Sequence, residues 1–141
     1  MEIQYRCRVK FYLVPQEKFF KKYYQFAFLG SILEKMIKIE YSRNCMYQMA
    51  YHVIWCPKYR KSVLTGSIAE FLRNEITTIC NERQWPVITL EIQPDHIHLF
   101  LGIPPSLAVA DAIKILKGST ARKLFIAFPD LKNQLYGGHL W

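Results

Sequence analysis

The sequence predicts an α+β domain, an antiparallel sheet with two helices on one face, in a split βαβ order. Three observations carry this. Three short segments alternate apolar and polar residues with period two. Two longer ones show apolar stripes of helical spacing, and prolines punctuate the boundaries between them.

Tyr47 to Cys56 reads as a strand, with Tyr51, Val53 and Trp55 on one face and Ala50, His52 and Ile54 on the other, and Pro57 ends it. Thr65 or Ser67 can cap a helix whose stripe is Ile68, Phe71, Leu72, Ile76, Ile79 and Cys80. Val87 to Gln93 is a second strand, Pro94-Asp95 a tight turn, and His96 to Ile103 a third strand. Ser106 is the expected N-cap of a second helix running to about Phe128, before Pro129. Strand, helix, strand, strand, helix is five-sixths of a ferredoxin-like, split βαβ arrangement. The closing strand is expected to be missing, with His139-Leu140-Trp141 as its cut-off first step.

Composition bounds the function. At 141 residues, 51% hydrophobic and 21% charged, the chain fits one domain and neither a disordered nor a membrane protein. The apolar run Phe26 to Leu33 is too short to span a bilayer, and the first fifteen residues carry Glu2, Arg6, Arg8 and Lys10 without a signal-peptide core. A cytoplasmic protein is expected. Cys7, Cys45, Cys56 and Cys80 show no C-x-x-C pairing and read as reduced thiols. The net charge of +8 favours a polyanionic partner. Residues 1–44 hold nine basic and four acidic residues among many aromatics, and form an N-terminal extension distinct from the domain at 45–141. Within the extension, Arg8 to Val14 reads as a strand and Gln16 to Ile39 as a helix.

The chemistry centres on Asp95-His96-Ile97-His98. Residues two apart in a strand share a face, so His96 and His98 project together while Ile97, Leu99 and Leu101 point the other way. A two-residue hairpin loop sets Gln93 opposite His96 and Glu91 opposite His98, giving four metal-capable side chains on one polar face. Ile88, Leu90 and Ile92 join the apolar back. Two such imidazoles can hold one divalent metal, with Glu91, Gln93 and Asp95 as further ligands or supports. An H-x-H pair by itself is a weak signal, since solvated strand histidines are common.

Four ordered segments make the reading specific: Tyr51-His52-Val53-Ile54-Trp55-Cys56-Pro57-Lys58-Tyr59-Arg60-Lys61, Pro94-Asp95-His96-Ile97-His98-Leu99-Phe100, Leu116-Lys117-Gly118-Ser119-Thr120-Ala121-Arg122 and Gly137-Gly138-His139-Leu140-Trp141. From about Ser42 to Trp141 the chain resembles the HUH single-tyrosine transposases of the IS-two-hundred-like insertion sequences (TnpA-like). The resemblance implies that His96 and His98 hold Mg²⁺ or Mn²⁺ against a scissile phosphate of single-stranded DNA. It implies attack by a tyrosine, a 5′-phosphotyrosine intermediate and later rejoining. It also implies a homodimer that binds hairpin DNA at insertion-sequence ends. In the family, the tyrosine and a third metal ligand lie on a C-terminal helix, expected here beyond Trp141. The chain is therefore read as truncated, binding DNA without cutting it. Tyr136 is read as packing, and Tyr23 and Tyr24 lack a metal ligand one turn on.

Lys58, Tyr59, Arg60 and Lys61 follow the first strand and suit phosphate contacts with base stacking. Lys114, Lys117, Arg122 and Lys123 decorate the second helix, where Gly118 marks a close approach of backbone or DNA. His52 and His139 are expected to be structural. An RNA-ligating phosphoesterase with two H-x-[ST] motifs fits badly, because one histidine motif is present and His98 stands at its third position.

Overall fold

The computed structural model describes residues 49–141 together with the backbone of strands at 8–13, 40–41 and 46–47. The strands are β1 (Arg8–Leu13), β2 (Glu40–Tyr41), β3 (Met46–Tyr47), β4 (Met49–Trp55), β5 (Val87–Gln93) and β6 (His96–Gly102). The helices are α1 (Gly66–Glu82), α2 (Val109–Ala127) and the short α3 (Pro129–Asn133). The helix expected over 16–39 lies outside the described residues, as do Cys7 and Cys45.

β1, β4, β6 and β5 form one antiparallel sheet in that order, and β2 pairs with β3 in a separate ladder. The strand expected over Tyr47 to Cys56 is therefore divided, with Tyr47 in the small ladder and Met49–Trp55 in the sheet. The chain passes from β4 through α1 to β5, skipping the place that β6 then fills. A matching crossover from β6 would return to the outer edge of β4. That edge, left open by the missing strand and expected to be covered by a partner subunit or by Arg8 to Val14, carries β1, with Arg8 opposite Ile54 and Leu13 opposite Met49. An uncovered edge leaves a row of unpaired backbone groups, and the antiparallel β1 satisfies them from the N-terminal side of the chain.

The apolar back of the sheet meets both long helices, as the alternation requires. Val53, Trp55, Ile97, Leu99 and Leu101 pack against Leu72 and Ile76 of α1 and Leu116 and Leu124 of α2, all buried. Each such side chain contributes roughly 1.5–3 kcal/mol when fully buried. Cys80 is buried among them, and burial pushes its thiol up to about 11. One expectation on this face fails. The β5–β6 register shifts between Val87 and Thr89, and Val87 packs on the core together with Leu90 and Ile92, in place of Ile88. A bulge advances the alternation by one residue, so parity counted from Gln93 breaks there. The front is also less polar than the pattern implied, because Phe100 is buried on it beside His52.

Helix boundaries differ in one place. Thr65 is the N-cap position of α1, without a side-chain capping bond. The second helix begins three residues later than Ser106, with Ala108 at the cap position. Pro104 to Leu107 close a turn, with the Leu107 N–H donating to the Pro104 carbonyl, so Ser106 is used before the helix starts. Asp111 supplies negative charge in the first turn, where it complements the helix dipole. Gly102 ends β6 because nothing larger fits: a Cβ there would stand 2.7 Å from Pro86 Cγ. Its N–H donates to the Pro86 carbonyl, which ties the sheet to the chain entering β5.

Candidate metal centre and nucleic-acid interface

The hairpin register places Gln93 opposite His96 and Glu91 opposite His98. His96 and His98 stand side by side with ring centroids 4.9 Å apart. Each has its Nδ1 engaged. His96 donates its Nδ1–H to Asp95 Oδ1 at 2.5 Å, since an ionised carboxylate can only accept. His98 Nδ1 lies 3.1 Å from Nε2 of His52. The His96 bond leaves its Nε2 to meet a cation, and His98 offers its Nε2 in the same way in the tautomer whose Nδ1–H is donated to His52. Metal-binding imidazoles are commonly oriented by such a partner on the far nitrogen.

Asp95 is shared. Arg60 donates from Nε and from a terminal nitrogen to Asp95 Oδ2, at 3.1 and 2.6 Å. The bond from His96, and after it the Arg60 guanidinium, hold the Asp95 carboxyl below the usual carboxylate range. Burial, and then the charge of neighbouring His96, push His98 below the ordinary histidine value, while Glu91 opposes them. Both effects favour a neutral His98, the form that binds metal. Asp95 is thus a support for His96. Glu91 faces His98 in the ladder, but among the described residues no three His, Cys, Asp or Glu side chains gather to hold a metal ion. The chemistry fits a divalent cation with two imidazoles, its remaining positions taken by water, phosphate or other groups.

After β4, Lys58–Arg60 forms a 3₁₀ turn in which Tyr59 and Arg60 take positive φ, 61° and 51°. Lys58 N–H donates to the Leu140 carbonyl at 2.8 Å, and Lys61 Nζ to the Gln134 carbonyl at 2.6 Å. This draws the C-terminal turn, Tyr136–Gly138, against the basic one. Tyr136, expected to pack, does so at the surface: it is 72% exposed and meets the Tyr59 ring edge to face. Only proximity of the two turns, absent from local sequence, brings it out beside Tyr59.

On α2, exposed Lys114 and half-buried Lys117 line one open groove of about 810 Å³ with Gly118, Phe125 and Trp141. Among the described residues nothing lies within 4 Å of a Cβ built on Gly118, so no close backbone approach explains it. Arg122 is exposed. Lys123 pairs with Glu75 of α1 at 2.5 Å, so its charge is partly engaged within the fold.

His52 and the Arg60–Asp95 pair were not legible as site features. His52 shares the parity of Ala50 and Ile54, which marks the front face, but its nearness to His98 depends on β4 lying next to β6.

A family model for IS200-like transposases matches residues 45–141. The ISDra2 transposase TnpA of Deinococcus radiodurans is 44% identical over 105 residues, covering 74% of this chain and 75% of that relative. The transposase for insertion sequence element IS200 of Salmonella typhimurium is 30% identical over 98 residues, 70% of this chain and 62% of the relative. A crystal structure of a candidate transposase from Deinococcus radiodurans R1 superposes with a TM-score of 0.69 at 39% identity, over 73% of this chain and 79% of the other. The fold and its histidine-bearing sheet therefore belong to a DNA transposase. The chain is a member of the IS200-like transposase family. No helix among the described residues is long and apolar enough to cross a membrane.

Proposed function

We propose that this chain binds single-stranded or hairpin DNA at insertion-sequence ends as a homodimer, through a Mg²⁺- or Mn²⁺-dependent site on His96 and His98. The observation that carries the reading is the pair of rings side by side on one strand face, with His96 Nδ1 bonded to Asp95 and His98 Nδ1 beside His52 Nε2. A divalent cation bound there supplies Lewis-acid polarisation of a phosphate oxygen. Asp95 and His52 orient the two imidazoles, and Arg60 secures Asp95. Lys58, Lys61, Lys114, Lys117 and Arg122 neutralise phosphates along the strand.

In the family reaction a tyrosine attacks the phosphate, forming a phosphotyrosine bond and freeing a 3′-hydroxyl. Such attack needs the oxygen about 3–3.5 Å from phosphorus. Tyr51 directs its hydroxyl to Met49 Sδ and lies buried, on the side of β4 away from His52.

The test is a mobility assay with hairpin DNA and Mn²⁺, read together with calorimetry of Mn²⁺ alone. The parent should bind both, and the His96→Ala/His98→Ala double variant should lose the Mn²⁺ heat. Unchanged heat in the double variant would sink the metal site. A boiling-resistant protein–DNA band mapping to a tyrosine of this chain would add strand cleavage to the binding.

A further inference from the structure

We infer that Tyr59 and Tyr136 together form a stacking platform for one unpaired base of single-stranded DNA, set beside the histidine pair. The inference rests on the DNA-binding reading above and specifies which part of the ligand these two turns receive.

The two rings come from distant parts of the chain and meet edge to face, with centroids 5.8 Å apart and planes at 82°. They are 48% and 72% exposed, two of the three large hydrophobic side chains most open to solvent among the described residues. Folding does not require them there, since neither belongs to the buried core. The backbone nevertheless holds them in place. Tyr59 and Arg60 are consecutive residues in the left-handed region, which side chains with a Cβ disfavour and which clusters at functional sites. On the opposite side Gly137 and Gly138 take φ of +68° and +67°, a conformation glycine adopts without that penalty. The Lys58–Leu140 and Lys61–Gln134 hydrogen bonds lock one turn to the other. The aromatic pair is thus preorganised on the surface.

Its surroundings select the occupant. Lys58 Nζ lies 5.5 Å from the Tyr59 ring centroid, Arg60 and Lys61 follow, and the Lys132 side chain runs against Gly138. Cations ringing exposed aromatic faces suit a polyanion that carries flat π surfaces, which describes unpaired nucleotides. An apolar protein segment would gain nothing from four cations. The position also matters. Arg60 reaches Asp95, and Asp95 holds His96, so the platform joins the metal pair through two side-chain contacts. A base stacked on Tyr59 or Tyr136 would fix the strand next to the phosphate at the histidines.

The experiment uses the 141-residue chain and a hairpin oligonucleotide whose unpaired tail carries 2-aminopurine, with binding followed by anisotropy across a salt series. Tyr136→Ala should weaken binding roughly 5- to 150-fold, the range expected for one lost stack. Tyr136→Phe should stay within about twofold of the parent, because stacking needs the ring and no hydroxyl. The salt slope should not change, since no phosphate contact is removed. Abasic sites in the tail should weaken the parent by a similar factor and leave Tyr136→Ala unmoved. Tyr136→Ala binding as tightly as the parent overturns the platform while leaving the DNA reading intact. Equal losses on intact and abasic tails also overturn it. A changed oligomeric state in sedimentation with unchanged DNA affinity assigns the pair to a contact between two copies instead. A parent that binds no oligonucleotide overturns the DNA reading and the platform with it.

Discussion

His52 Nε2 lies 3.1 Å from His98 Nδ1, although the two are not ladder partners: His52 faces Phe100, and Ile54 faces His98. The contact is a diagonal one across β4 and β6, within reach of long side chains on one face. For His98 to offer an unprotonated Nε2, its proton must sit on Nδ1 and His52 must accept it. His52→Ala should therefore lower Mn²⁺ affinity by roughly 10- to 100-fold, as loss of an orienting partner does. The check is calorimetry combined with ¹⁵N chemical shifts of His98, which report the tautomer directly. A His98 tautomer and Mn²⁺ affinity both unmoved by the substitution would remove His52 from the site.

The basic residues should separate by their present partners. Lys58→Ala and Lys117→Ala should each lower the slope of log affinity against log salt by about one for hairpin DNA. Lys123→Ala should leave that slope unchanged, because its ammonium is paired with Glu75. Exposed pairs of this kind contribute at most about 1 kcal/mol, so its melting temperature should hardly move. A slope that falls with Lys123→Ala would return that residue to the interface.

The β1 strand should matter to solubility more than to DNA binding. Among the described residues its one ladder is with β4, where Phe11 stands opposite Tyr51 and Tyr12 opposite Ala50. Phe11→Pro/Tyr12→Pro removes one backbone donor of each parity, so at least one is lost from that ladder. The expected result is a lower melting temperature and concentration-dependent self-association through the bared edge of β4. Light scattering and thermal melts identical to the parent's would show that β1 does not protect the edge.

Cys80 gives a pH signature. Its thiol is raised from about 9 to about 11 by burial, so the folded state keeps a proton that the unfolded chain releases. The sign follows: above pH 9 the unfolded state binds fewer protons, and stability falls as pH climbs toward 11. Denaturant melts of the parent and Cys80→Ala should show the parent's advantage constant below pH 9 and shrinking above it. Iodoacetamide at pH 8 should leave Cys80 unmodified in the native state while it labels readily in denaturant. Native labelling of Cys80 at a rate near that of the denatured chain would contradict its burial.

Period-two alternation put Ile97 and Leu99 inside and His96 and His98 on one face, because side-chain direction in a strand is a local property. The Pro94-Asp95 turn fixed the register of Glu91 and Gln93 for the same reason, since a two-residue loop leaves one pairing. The bulge at Val87 and the helix start at Val109 escaped that logic. Both depend on how the segment ends are held, by Gly102 against Pro86 and by the turn closing at Leu107.

The sequence by itself determined the element order, the histidine pair and the basic run after the first strand. It also expected a strand at Arg8 to Val14 and offered it, alongside a partner subunit, as cover for the first strand's edge, without deciding between the two. Only the tertiary structure placed that strand on β4, brought His52 to His98, committed Arg60 to Asp95 and Lys123 to Glu75, and turned Tyr136 outward beside Tyr59. Each of these joins residues far apart in the chain. Their meeting is set by strand order and by the packing of the two helices, which local periodicity does not encode.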